Sequence, residues 1–308
     1  MSQPVQDSTF TFTDPDGFTI FVRKWVPPPG VQHKAVVQIA HGAAEHSLRY
    51  ERPAKFLNRV GYVVYANDHR GHWKTAITVE KAGFAGDDGW NGIVKDAKQL
   101  TDIIKKENPS LPVFLFGHSM GSLIAQHYIQ RWGSGLMGVV LCGSFGGRTD
   151  LDSVISKLEA KPREEHQKAA GPRTLQQFNW LTRDKAEVQK YIDDPWCGFT
   201  FTRGFVLDMF RGMREGWKPE NEARIPKELP VYIISGDQDP AAGEKTSSIR
   251  ALVERYQDSD IRDVTFKIYA GAHHELLNET NRDEVQRDLL AWLNRHLQGG
   301  NLAQVVIQ

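Results

Sequence analysis

Short continuous apolar runs alternate along the chain with stretches in which apolar residues recur every third or fourth position. The runs are "AVVQIA" (Ala35 to Ala40), "YVVYAND" (Tyr62 to Asp68), "VFLF" (Val113 to Phe116), "GVVLCG" (Gly138 to Gly143), "VYIISG" (Val231 to Gly236) and "VTFKIYA" (Val264 to Ala270). They are rich in β-branched and aromatic residues and bounded by turn formers, so they read as strands buried on both faces. Helical spacing fills the gaps: Ser47 to Val60, then Ile93, Val94, Ala97, Leu100, Ile103 and Ile104 before the breaker "NPSLP". A last helix carries Val285, Leu289, Trp292, Leu293 and Leu297 on its inner face. Ahead of these units, "FTFTD" and "FTIFVRKWV" flank Pro15-Asp16-Gly17, which predicts a hairpin. The pattern predicts an α/β domain, a mostly parallel sheet covered by helices on both faces.

The alternation fails once. Between about Phe145 and Arg224 charged helical stretches lead into "PWCGFTFTRGFVLDMFRGMREGW", where Trp196, Phe199, Phe201, Phe205, Phe210 and Trp217 crowd together with Met209 and Met213. This segment reads as a helical cap inserted over the carboxyl edge of the sheet, so residues 1–144 and 225–308 form the core domain and 145–224 the cap. The aromatic cluster either lines an acyl-chain slot or packs the cap onto the core. The slight basic excess over residues 157–190 reads as a solvated helix face or as a welcome for a phosphate head group. The glycine pair in "QGGNLAQVVIQ" is expected to end the last helix.

With 308 residues the chain can bury one large core. Lys plus Arg balance Asp plus Glu at a formal charge of zero, so nothing steers the protein to nucleic acid or an acidic membrane. Its two cysteines, Cys142 and Cys197, form no CxxC pair, which argues against a metal site or dithiol redox chemistry. The start "MSQPVQDSTFTF" has neither a basic nor an apolar stretch, and no run nears the roughly 18 apolar residues of a membrane span. The expectation is a cytoplasmic protein without cofactor.

The chemistry is announced by "FGHSMGS". Gly117-His118-Ser119-Met120-Gly121 is a GxSxG pattern between a strand and a helix, the setting in which such a serine sits on a strained turn with its hydroxyl exposed above the sheet. A serine needs a base and the base an orienting acid, and in this arrangement they follow in the order Ser, Asp or Glu, His, on loops after later strands. "SGDQDP" offers Asp237 and Asp239, and "GAHHE" offers His273 and His274. Asp239 is favoured by its depth in the loop and by Pro240 behind it, with Asp237 the runner-up; the two histidines are hard to separate. The oxyanion donors expected are the backbone N–H groups of Met120 and of Ala43 in "IAHGAAEH". His41 and Gly42 shape that loop.

Together "HGAAEHSLRY", "NDHRGHWKT", "FGHSMGS", "SGDQDP" and "GAHHELLNE" resemble the monoacylglycerol lipase and lysophospholipase branch of the α/β-hydrolases, often labelled serine aminopeptidase-like. The resemblance runs through most of the chain and is weakest over 145–224. It implies the α/β-hydrolase fold, the triad Ser119, Asp239 and His274, and oxyanion donors at Ala43 and Met120; its G-x-x-H pattern maps onto Gly271 and His274. Two positions depart from it. Ala44 stands where the family commonly has the second glycine of H-G-x-G, and Trp73 where it has the last glycine of D-H-R-G-H-G. Asp68, His69, Arg70 and His72 are read as structural. The implied activity is hydrolysis of a monoacylglycerol or lysophospholipid ester, with transient lipid-surface contact through the cap. An aminopeptidase, a short-chain carboxylesterase or an acyltransferase would use the same triad. A non-catalytic ligand-binding protein would need none of it, and an aspartate in place of Ser119 would have signalled a dehalogenase or epoxide hydrolase.

Overall fold

In the computed structural model, which describes residues 6–147, 150–167 and 173–297, the apolar runs form the centre of one eight-stranded sheet ordered β1-β2-β4-β3-β5-β6-β7-β8. The strands are β1 (Gln6–Thr13), β2 (Thr19–Val26), β3 (Ala35–Ala40), β4 (Tyr62–Asn67), β5 (Val113–His118), β6 (Gly138–Cys142), β7 (Val231–Gly236) and β8 (Val264–Tyr269). The hairpin β1–β2 is antiparallel and joins β4 antiparallel, whereas every pairing from β4 to β8 is parallel. Strands β3, β4, β5, β6 and β7 are buried along their whole length, which is why they show no polar alternation.

Eleven α-helices are described: α1 (Glu51–Asn58), α2 (Trp73–Ala76), α3 (Gly89–Glu107), α4 (Met120–Trp132), α5 (Leu151–Glu159), α6 (Leu175–Phe178), α7 (Lys185–Asp193), α8 (Arg203–Gly216), α9 (Pro219–Glu222), α10 (Ser247–Asp258) and α11 (Arg282–Leu297). Helices α3, α4 and α10 bury Trp90, Ile124 and Leu252 against one face of the sheet. Helices α1 and α11 bury Leu57, Leu289 and Trp292 against the other. The expected α/β architecture with both faces covered is therefore borne out. Helices α5 to α9 lie between β6 and β7, and the described residues of that stretch add no strand to the sheet.

The aromatic cluster of this stretch divides rather than acting as one unit. Phe205 and Met213 are buried in the main core, with Met209, Phe210 and Trp217 packed against it. Phe199 and Phe201 line a cavity above the sheet, and Phe201 packs on the core as well. The glycine pair expected to end the last helix, and the tail after it, lie outside the described residues.

Candidate active site

The cavity lies over the carboxyl ends of β3 and β5 and has a volume of about 410 Å³. Ser119 and His274 are both on its wall. Strand β5 ends at His118 and α4 begins at Met120, so Ser119 is the single residue of the reversal, with φ 52° and ψ −119°. That left-handed backbone is costly for a residue with a side chain. The flanking glycines explain why it is tolerated: a Cβ on Gly117 would lie 2.3 Å from the Gly121 carbonyl oxygen, and one on Gly121 would lie 2.0 Å from that of Ala40. The Ser119 N–H donates to the Cys142 carbonyl at 2.9 Å, which fixes the turn against β6. The N-terminus of α4 opens at Met120, where helix N–H groups have no intrahelical acceptor.

His274, fully buried, brings its Nδ1 to 2.9 Å from both carboxylate oxygens of Asp239. Burial disfavours the charged imidazole, but the charge and hydrogen bond of Asp239, aided by Glu275 and Glu45, outweigh it and raise the His274 pKa above its ordinary value. Asp239 is itself anchored, accepting from the Ala241 N–H at 2.8 Å. The other two candidates go elsewhere. Asp237 accepts from the Gly271 N–H at 2.7 Å and so ties the two loops, while His273 Nδ1 meets the Asn179 carbonyl at 2.8 Å.

The loop after β3 also faces the cavity. Gly42 N–H donates to Glu45 at 2.5 Å and Ala44 N–H donates to His72 Nε2 at 3.2 Å, leaving the Ala43 N–H between two anchored neighbours. Three buried histidines brace this loop as neutral rings. His72 donates from Nδ1 to the Arg70 carbonyl, and burial lowers its pKa to about 4. His41 Nε2 accepts from the His69 N–H at 3.1 Å, and burial together with the neighbouring His69 and His72 holds its pKa well below the ordinary range. The His69 pKa is lowered to about 3 by burial and by His72. Asp68 accepts from the Ser47 N–H at 2.9 Å, and Arg70 pairs with Asp96 at 2.8 Å. None of these five side chains is among the residues lining the cavity. Ala44 and Trp73, the two departures from the glycine pattern, have φ of 50° and 30°.

Beneath the site lies a charge network that no motif pointed to. Arg49 bonds Glu275 through two contacts of 2.6 and 2.7 Å and also pairs with Glu45. Glu45 further accepts from the Tyr50 hydroxyl at 2.7 Å, and its pKa stays low because Arg49, His118 and these donors overcome burial. Other wall residues that sequence reasoning missed are Phe178, Trp180, Leu181 and Tyr191, from the segment around α6 and α7.

Comparison with known proteins places this geometry. The serine aminopeptidase S33 family description matches residues 31–281, which spans β3 to the last loop before α11. The chain belongs to this family of α/β-hydrolases. Among S33 relatives, the monoacylglycerol lipase of Mycolicibacterium smegmatis is 29% identical over 94% of this chain and 98% of its own length. The Homo sapiens monoglyceride lipase is 30% identical over 90% of this chain and 86% of its own. In three dimensions this S33 chain is similar to a thermostable carboxyl esterase from Bacillus coagulans solved with glycerol. The TM-score is 0.85 at 28% identity, over 94% of this chain and 99% of that one. The protein is therefore a serine ester hydrolase of the monoacylglycerol lipase and esterase branch.

Proposed function

We propose that the enzyme hydrolyses monoacylglycerol or lysophospholipid-type esters through an acyl-enzyme on Ser119. The observation that carries this reading is one cavity that presents a serine on a strained strand-to-helix turn and a buried histidine held by Asp239. In the mechanism, neutral His274 takes the Ser119 proton as Oγ attacks the ester carbonyl, and Asp239 stabilises the imidazolium that forms. The N–H groups of Ala43 and Met120 receive the oxyanion. The alcohol leaves with the proton, and water, activated by the same histidine, releases the acid.

Residues 145–224 serve as the cap. Phe178, Leu181, Phe199 and Phe201 give the cavity an apolar wall suited to an acyl chain, and relatives named monoacylglycerol lipase support a glycerol ester. An aminopeptidase needs a carboxylate for the substrate ammonium, but the two on this wall, Glu45 and Glu275, are both committed to Arg49. No described helix is long and apolar enough to cross a membrane, so contact with lipid would be peripheral.

The test is a chain-length series of p-nitrophenyl esters beside monoacylglycerol, lysophospholipid and aminoacyl anilides. Long or medium acyl esters should be cleaved, and Ser119→Ala should remove turnover while leaving thermal unfolding unchanged. Cleavage of the anilides alone overturns the lipid reading; full activity in Ser119→Ala overturns the nucleophile.

A further inference from the structure

Away from the reacting groups, the fold gathers three donors of different chemistry. His46 follows the oxyanion loop, and Asp194 and Cys197 follow α7, 148 and more residues later in the chain. One donor atom from each lies within 4.8 Å of the other two. His46 Nε2 is 2.8 Å from Asp194 Oδ2; His46 and Cys197 are buried and Asp194 is half-buried. The sequence gives no warning of this, since Asp194-Pro-Trp-Cys197 is not a metal motif and its third member is remote.

We propose that His46, Asp194 and Cys197 form a binding site for a borderline transition-metal cation of the Zn²⁺ type. Imidazole nitrogen, carboxylate oxygen and thiolate sulfur are the donors such an ion takes, with bonds of about 2.0–2.3 Å. Tetrahedral bonds of that length separate donor atoms by about 3.3–3.7 Å. The His46–Asp194 pair therefore has to open by about half an ångström and the thiol to approach by at most about 1.5 Å, shifts within the range of side-chain rotation. The ring of His46 is held for this, packed on Trp73 with centroids 4.3 Å apart. Asp194 is held as well, its Oδ1 accepting from the Trp196 N–H at 2.8 Å. Binding forms bonds to nitrogen, oxygen and sulfur with no redox change: the thiol proton leaves to solvent, the His46 Nε2 proton that faces Asp194 shifts to the unpartnered Nδ1, and water fills the fourth position.

The consequence lies in what the ion would join. Gly198 N–H and the Tyr191 hydroxyl both donate to the Ala44 carbonyl, at 2.8 and 3.0 Å. A metal at 46/194/197 replaces the single His46–Asp194 contact with a three-point tie between the end of α7 with the residues after it and the loop that carries the Ala43 amide. It is a structural clamp, not a reaction centre.

The experiment is a CoCl2 titration of the chelator-treated, dialysed protein, followed by displacement with ZnCl2. The expected result is a near-ultraviolet thiolate-to-cobalt band that saturates at one ion per chain, and a rise in unfolding temperature with ZnCl2. Cys197→Ser should remove the band. Asp194→Asn should weaken binding by more than about tenfold, the loss that even a supporting residue of a metal site can cause. Absence of the band from the unaltered protein, or its persistence in Cys197→Ser, overturns the site. Should Cys197→Ser not fold, Asp194→Asn decides, since that carboxylate is 32% exposed and open to substitution: unchanged cobalt affinity overturns the proposal.

Discussion

Two residues with positive φ, Ala44 and Trp73, have opposite consequences. That conformation costs an ordinary residue about 1–2 kcal/mol. For Ala44 the only side-chain atom is a methyl, so Ala44→Gly exchanges steric relief for chain entropy and should change stability by no more than about 1 kcal/mol. Trp73 is different, because its ring packs on His46 and lies 5.7 Å from the Arg23 guanidinium. Trp73→Gly should therefore destabilise by about 2 kcal/mol or more despite relieving the same strain, within the range of large aromatic truncations. Urea unfolding of the two variants checks this, and a stabilised Trp73→Gly would contradict it. At His274 the sign of the pH dependence follows from its raised pKa. As the proposed base, His274 is competent only when neutral, so kcat/KM should fall on the acid side with an apparent pKa above 6.5, the value of an unperturbed histidine. The fall therefore begins at higher pH than a free imidazole would give. Asp239→Asn should lower kcat by on the order of 10⁴ and move the acid limb down. A limb centred at or below 6.5 in the unaltered enzyme contradicts the coupling.

Between elements, the clearest hinge of stability is Arg70, in the loop after β4. Its guanidinium reaches Asp14 at 2.7 Å and Asp16 at 2.8 Å in the β1–β2 turn, and Asp96 on α3 at 2.8 Å. Gly92 makes the passage possible: a Cβ there would lie 2.3 Å from Arg70 Nη1. Asp14 and Asp96 are both buried, so Arg70→Met strands two carboxylates and should cost about 3–5 kcal/mol, read by thermal or urea unfolding. A loss under about 1 kcal/mol would show that the hairpin is held by its apolar face instead. This triangle also marks what the sequence could and could not tell. The buried strands were legible because continuous apolar runs have few alternative uses, and the serine turn because only glycines fit beside it. The choice between Asp237 and Asp239, and between His273 and His274, depends on where two loops meet, which local pattern does not encode. The stretch between β6 and β7 was the least legible. Four of its five described helices have nine residues or fewer, and the same aromatic letters serve the core at Phe205 and the cavity at Phe199.

Across the whole molecule, the loops that carry the proposed reacting groups are fastened to one another through the segment around α7. The His274 N–H donates to the Trp180 carbonyl and the Glu275 N–H to that of Leu181, at 3.4 and 2.7 Å. Arg52 pairs with Glu187 and Arg183 with Glu279, both at 2.8 Å, which ties the same segment to α1 and to the loop before α11. Arg49 sits at the centre: it bridges Glu45, which holds the Gly42 amide, to Glu275, which follows His274, and its guanidinium lies 4.9 Å from the centre of the Tyr191 ring. A single cation thus sets the spacing between the Ala43 amide and the imidazole. Arg49→Met would strand both glutamates, so the informative change is Arg49→Lys, which keeps the charge and loses the two-pronged contact with Glu275. Because the cavity walls stay in place, KM should remain within about threefold. A displacement near 1 Å of reacting groups costs on the order of 100-fold, so kcat should fall by about 10- to 100-fold. Steady-state kinetics on one p-nitrophenyl ester separate the two parameters. An unchanged kcat would mean that each loop is positioned on its own, and that the network beneath the site serves stability alone.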